Sequence, residues 1–522
     1  MACSESKLYE HHPLDPVRRQ IRTLHVLPGH GNQPISIKLK VQDLEDPSTN
    51  FIALSYVWGT ETASEVVQAD KENIQVTVNL LNCLRHLRDT QHSLVLWVDA
   101  ICINQDDLRE KSAQVAMMGY IYSRCSTVCC WLGAPPDSAS AERDPFELIH
   151  HFAANKHYHD LPGYSVVGSA DARFEENTEF LALWERFLSV ANSAWWTRAW
   201  TVQEAVVPKD SVLRLGKWSI NFETVITSRQ LRNSHLLQCF ENSPLGPQGW
   251  PKTFPEFRCR PFYELVLTFS NRACSNPRDK VFSLLALAKS PVMKAHRPDY
   301  SRSVIDTYTQ AFRLMLDETD NDFRCLMGPT FGSANPDSPS WVPDFSQVIP
   351  PHLVEFTLRR IMMSSLFKTS NVEPGKVDHL PGRRLSISGL YADTVSFVSS
   401  TFEPVDRAPN QVREILADWS AVGRRTLSTS DDSIVRQTLS CIMCASIGFV
   451  GTPYDAFHGG WRRLREGDLP SAAEWQQFTD GNMWALPEVY RGTMETISSG
   501  RCLFATEGGR LGLCYKTVQP GD

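Results

Sequence analysis

The sequence predicts an α/β fold built on a parallel sheet, followed by a mixed α+β region. Three observations carry that reading. Short apolar runs end in small or polar residues three times before residue 205: Ile52-Ala-Leu-Ser-Tyr-Val-Trp-Gly59, Leu96-Trp-Val-Asp-Ala-Ile-Cys-Ile-Asn-Gln105 and Trp195-Trp-Thr-Arg-Ala-Trp-Thr-Val-Gln-Glu204. Buried strands of α/β proteins deliver polar side chains to the carboxyl edge of a sheet in this way. A strand, a helix and a strand also follow one another at 94–98, 106–124 and 127–132, the βαβ order that implies parallel pairing. Finally, 522 residues with 42% hydrophobic and 21% charged side chains are an ordinary globular composition, long enough for two or three cores.

Each element has a local cause. Ile21–Leu27 and Ile35–Val41 are short apolar runs separated by Pro28-Gly29 and Gly31-Asn32, a hairpin-like connection. Leu80, Leu81, Leu84 and Leu87 recur at helical spacing, with Arg85 and Arg88 on the other face. Asp106 and Asp107 open a helix running to about Arg124, their carboxylates set against the positive end of its dipole. Val115, Met118, Ile121 and Tyr122 form its apolar stripe. Thr127–Leu132 reads as a buried strand that stops at Gly133 to Pro136. Residues 134–178 read as an insertion, solvated or variable, that holds His150, His151, His157 and His159. No Cys or carboxylate completes a ligand spacing around them, so no metal site is expected. Leu181–Val190 is amphipathic and leads into the third Trp-rich block. Beyond Gly216 the character changes. Leu380–Leu390 and Ala392–Val398 read as strands, and Arg501–Thr506 with Arg510–Leu513 as a hairpin. The expected regions are 13–215, a mainly helical 216–370 and an α+β 371–522.

Composition removes several function classes. Net charge is −7, from 52 Lys and Arg against 59 Asp and Glu, and no basic run stands out. Nucleic-acid binding needs such a stripe to neutralise phosphates, so it is disfavoured. The longest apolar stretches, Val281–Ala288 and Cys441–Gly451, fall short of the roughly 20 residues a spanning helix needs. The N-terminal Met-Ala-Cys-Ser-Glu-Ser-Lys lacks a signal-peptide core, and the expectation is a cytoplasmic protein. Fourteen scattered cysteines read as free core thiols; Cys441-Ile-Met-Cys444 has no second pair to make a zinc site. No P-loop, dinucleotide-binding glycine motif, H-E-x-x-H or G-x-S-x-G occurs, so no cofactor is required by motif.

What remains are the three blocks. Asp99 ends the apolar run Leu94–Val98, as a ligand group at the sheet edge or as a partner for a backbone N–H or an Arg. Asn104 and Gln105 open the loop before the 106–124 helix. Trp200 and Glu204 stand four apart and share one face if the segment is helical.

Together the blocks at 51–59, 96–105 and 195–204 resemble the fungal heterokaryon-incompatibility (HET) domain, which carries this kind of block in this order. Asn276–Leu287, Pro298–Ser301 with a following helix through about Leu316, and Pro339–Phe345 are also similar to segments of that family. The resemblance implies a TIR/flavodoxin-like parallel-sheet HET domain at 13–215. HET domains are regarded as distant relatives of Toll/interleukin-receptor (TIR) domains, many of which cleave NAD with a glutamate four residues after a Trp. On that likeness Glu204 is the candidate catalytic acid and Trp200 an aromatic wall. Ser55 and Tyr56 would face a phosphate, and Arg198 would contact a diphosphate. The bland alternatives are that Glu204 caps a helix or pairs with Arg198 or Lys209. The implied function is non-self recognition through an allelic or non-allelic protein partner, ending in growth arrest or cell death. The route is NAD cleavage, with NAD as substrate, or self-association. An accessory role in secondary metabolism is the third reading.

Overall fold

The computed structural model describes residues 7–59, 63–69, 72–134, 143–157, 160–162, 178–239, 260–318, 325, 328, 337–364, 377–380, 384–388, 391–403, 409–449 and 461–522. The chain divides into two units, 1–262 with 272–303 and 263–271 with 304–522.

The first unit is organised by strands β1 (Gln20–Val26), β2 (Ser36–Asp43), β3 (Ile52–Ser55), β4 (Glu65–Ala69), β5 (Glu72–Val76), β6 (Leu94–Trp97), β7 (Thr127–Gly133), β8 (Ser211–Leu215) and β9 (Trp218–Asn221). They form one nine-stranded sheet in the order β5-β4-β2-β1-β6-β3-β7-β8-β9. Its centre is parallel: β3 pairs with β6 through Ile52↔Leu96 and with β7 through Ser55↔Cys130, and β7 pairs with β8. β2 also pairs with β4 in parallel, and the remaining pairings depart from a parallel sheet. β1 with β2, β4 with β5 and β8 with β9 are antiparallel hairpins, and β1 also runs antiparallel to β6. The reason is connection length. A parallel crossover takes about a dozen residues or more, and the links within these hairpins are too short for one. The fold is therefore mixed α/β.

Helices α1 (Lys7–His11), α2 (Val78–Leu87), α3 (Asp99–Cys102) and α4 (Leu108–Arg124) accompany this sheet. Asp107 caps α4 as its position suggested, accepting from the Arg109 and Glu110 N–H groups at 2.9 and 3.2 Å. Arg88 departs from the exposed face assigned to it. It is buried, and its guanidinium holds the carbonyls of Gly31, Gln33 and Pro34, bracing the β1–β2 turn.

Within 134–178 the described residues include α5 (Glu147–Ala153), whose Leu148, Ile149 and Phe152 are buried. This helix, at least, packs into the core; its apolar positions are so few that no helical period stands out in the sequence. His150 and His151 sit on α5, while His159 lies outside the described residues. Next come α6 (Thr178–Ala191), α7 (Thr201–Val206) and α8 (Phe222–Cys239). After α9 (Phe262–Thr268), residues 272–303 return to the first unit with α10 (Asp279–Phe282), a tight turn at Leu285–Leu287 and α11 (Pro291–Ala295). The single helix expected over 276–287 is thus two short pieces.

The second unit contains α12 (Val304–Glu318), α13 (Pro351–Met363), β10 (Val377–Leu380), β11 (Arg384–Ile387), β12 (Val395–Phe402), α14 (Pro409–Thr426), α15 (Asp432–Met443), β13 (Ile447–Phe449), β14 (Trp461–Arg463), α16 (Ala472–Thr479), α17 (Glu488–Ser498), β15 (Arg501–Thr506) and β16 (Leu511–Tyr515). β12, β15 and β16 form a three-stranded antiparallel sheet. Trp419, Leu439, Met443, Tyr490 and Leu503 belong to the core beside it. The 501–513 hairpin lies where expected. The strand assigned to 392–398 begins later and runs to Phe402, and the one assigned to 380–390 is the strand β11, preceded by β10. Among the described residues no helix is long and apolar enough to cross a membrane.

Candidate functional site

The three blocks meet at the carboxyl ends of the parallel strands. β3 lies between β6 and β7, and its last residue, Ser55, pairs with Cys130 of β7 and is buried. β6 ends two residues before Asp99, which opens α3. The third block enters through a tight 3-10 turn at Ala194–Thr197, capped by Ser193. That cap also donates to the Leu132 carbonyl at 2.7 Å, tying the turn to β7. α7 then carries Glu204 inward.

Side chains from all three blocks interlock here. The buried Trp195 indole donates to Ser55 Oγ at 2.7 Å, and the Ser55 hydroxyl donates to the Glu204 carboxyl. Glu204 is only 2% exposed. Arg198 donates to the Tyr56 carbonyl. Trp58 Nε1 donates to both Asp99 oxygens, at 3.2 and 3.1 Å, and the Ala100 N–H adds a third bond at 2.8 Å. The site thus has two layers. Ser55, Tyr56, Tyr122, Trp195 and Glu204 are buried, whereas Trp58, Asp99, Arg198 and Trp200 are partly exposed.

Charge and burial set the chemistry. Loss of solvent pushes the Glu204 carboxyl up to about 7; Arg198 opposes this, Asp99 adds to it, and hydrogen bonds from Ser55 and Tyr122 pull it back. Desolvation also raises Asp99, against Arg198, the Ala100 N–H and the Trp58 indole. Both carboxyls therefore feel the charge of Arg198, and Glu204 is poised to change protonation near neutral pH. Such a matched group is what proton transfer requires.

Ser55, Tyr56, Asp99, Arg198 and Glu204 are brought together. Trp200 lies beside the partly buried Asp279, which accepts from the Tyr300 hydroxyl at 2.7 Å. Asn104 is not in the cluster. Its N–H donates to Glu110 Oε1 at 2.7 Å and its side-chain oxygen accepts from the Asp106 N–H at 3.2 Å, so it shapes the turn into α4. Glu204 takes Ser55 as its direct partner, a pairing no local pattern announces. Sequence reasoning also missed Trp195, Tyr122, Asp279 and Tyr300. Trp195 is one of two adjacent tryptophans, and Tyr122 reads as helix core. In both cases the polar atom acts across distant parts of the chain.

In the second unit, Tyr263, Phe312, Met315, Phe345 and Ile349 line an apolar concavity whose polar groups include Ser270 and Gln347.

Comparison with known proteins agrees with the geometry. Residues 51–204 match the family model described as heterokaryon incompatibility protein (HET), a span that starts at β3 and ends at Glu204. The chain is also 27% identical, over 365 residues, to "Heterokaryon incompatibility protein 6, OR allele" of Neurospora crassa, covering 58% of this chain and 54% of that protein. It therefore spans about half the length of the curated relative it matches. No solved structure matches. The segment similar to the HET family, residues 51–204, is thus the one that closes on this polar cluster.

Proposed function

We propose that this protein acts in heterokaryon incompatibility, sensing a non-self protein partner and triggering growth arrest or cell death, and that its HET domain does so by TIR-like cleavage of NAD. One observation carries the chemical part. Glu204 is held at about 7 behind a partly exposed rim of Asp99, Arg198 and Trp58, at the carboxyl ends of parallel strands, where α/β sheets bind ligands. Breaking the nicotinamide–ribose bond builds positive charge on the ribose, and a carboxylate beside it stabilises that charge. Nicotinamide leaves as a neutral base. Water adds to the ribose carbon, and the Glu204 carboxylate accepts its proton, giving nicotinamide and ADP-ribose. Arg198 would meet the diphosphate, and Asp99 would hold a ribose hydroxyl. In this reading Glu204 reaches substrate only when the 195–204 segment moves.

A second reading has its own support. Glu204 is 2% exposed and already hydrogen-bonded, as a structural acid would be. Under it, the domain signals by self-association and the cluster only rigidifies the fold. Expression in a fungal host separates the two. Growth arrest by wild type that disappears in Glu204→Gln, with equal protein levels, supports the chemical reading. Arrest that persists in a folded Glu204→Gln variant supports self-association.

A further inference from the structure

The second unit holds a corner whose charges do not balance. Arg360 of α13 is 3% exposed, and its Nε donates to the Thr496 carbonyl at 2.6 Å while its Nη2 donates to the Ser499 carbonyl. These carbonyls lie at the end of α17, so the helix dipole offsets part of that charge. Arg501 opens β15 directly opposite Tyr515 of β16, and its guanidinium lies 5.2 Å from the Tyr515 ring centre. The Tyr515 hydroxyl lies close to both guanidinium groups. Burial pushes Arg360 down to about 10, and Arg501 adds to the fall. Burial alone would push the Tyr515 phenol up, but Arg501 and Arg360 outweigh it and hold the phenol below its usual value.

No carboxylate among the described residues forms an ion pair with these arginines; the neighbouring Glu355 is taken by Arg359, and Glu495 answers Arg491 and Arg359. Two further buried donors in the same corner have no hydrogen-bond partner, Arg501 Nε and Ser499 Oγ. The corner therefore holds two guanidinium charges and unpartnered donors against a single phenol oxygen, an arrangement that costs free energy unless a further acceptor arrives.

We propose that Arg360, Arg501, Tyr515 and Ser499 form a binding site for a phosphate-bearing small molecule. Two guanidinium groups are balanced by the double charge of a phosphate monoester, whereas a carboxylate would leave one charge over. Guanidinium forks also match the oxygen geometry of phosphate. Arg501 and Tyr515 are partly exposed, so the ligand enters from solvent on the β15–β16 side.

Inorganic phosphate is the probe, titrated into the whole chain against chloride at matched ionic strength, with binding read by 31P NMR and by thermal unfolding. Wild type is expected to bind phosphate and to melt at higher temperature with it. Arg501→Gln should weaken binding about tenfold or more, the scale of one lost charge-assisted hydrogen bond. Arg360 is left intact because it also holds α17. If Arg501→Gln does not fold, Tyr515→Phe keeps the ring and both arginines, and it too should bind more weakly with unchanged circular dichroism. No phosphate effect beyond chloride, or equal affinity in wild type and the folded variants, overturns the proposal.

Discussion

Ser55 and Glu204 stand 149 positions apart and share one buried hydrogen bond, donated by the serine hydroxyl. Because Trp195 donates at 2.7 Å to the same serine oxygen, this hydroxyl joins a strand end, a tight turn and α7. Ser55→Ala leaves a buried indole N–H and a buried carboxyl without their partner. The expected cost is about 1–3 kcal/mol, the desolvation penalty of stranded groups. Urea unfolding followed by tryptophan fluorescence measures it, and an unchanged midpoint would mean that the link contributes nothing.

Glu204 gives stability a pH dependence whose sign follows from its proton. In the folded chain its pKa rises from 4.5 to about 7, so between those values the native state keeps a proton that the unfolded chain releases. Native protein then binds more protons, and stability falls as pH rises through this window, levelling off above it. The fall is on the order of 3 kcal/mol. Glu204→Gln cannot ionise and should flatten this part of the profile. Melting curves from pH 4.5 to 8 provide the comparison; parallel slopes in the two proteins would refute the assignment.

Arg22 and Glu110 form a bidentate pair at 2.6 and 3.0 Å, and Arg22 is 1% exposed. Glu110→Ala strands a buried guanidinium, at an expected cost of about 3–5 kcal/mol. It also frees the Asn104 N–H that Glu110 accepts. Asn104→Ala, by contrast, loses one bond of 3.2 Å and should cost about 1 kcal/mol or less. Were Asn104 a ligand residue, Asn104→Ala would leave stability alone and abolish function, so both quantities should be measured together.

Gly119 of α4 is a packing requirement. A Cβ built there would lie 2.7 Å from the Ala286 Cβ. Gly119→Ala gains helix propensity worth up to about 1 kcal/mol, but overpacking costs about 1–3 kcal/mol and should prevail. Adding Ala286→Gly should restore stability, because the clash lies in that pair. A single variant more stable than wild type would contradict this.

Much of the first unit was legible from local pattern. Apolar runs marked β1, β3, β6 and β7, Asp107 marked the start of α4, and the βαβ order required the parallel centre of the sheet. Long-range partners were not legible. Nothing near Ser55 indicates that its hydroxyl serves Glu204, and nothing near Arg88 indicates that it holds the β1–β2 turn. The carboxyls at 99 and 204 were visible as residue types at strand or helix ends; the Arg198 charge that both feel becomes evident only when three blocks fold together. α5 was missed because burial on one short face leaves too few apolar positions to show a period. Trp200 was read as an aromatic wall from the family likeness; the Asp279 beside it lies beyond the family segment, and no local pattern links the two.

The central claim is that Glu204 does chemistry on NAD. Purified protein at high concentration with a crowding agent, incubated with NAD and followed for nicotinamide release, tests it most directly, with Glu204→Gln run beside it. The expected result is release by wild type and none by the folded variant. Folded wild type that releases no nicotinamide, or a variant that releases it equally fast, would contradict the claim and leave Glu204 as a structural acid.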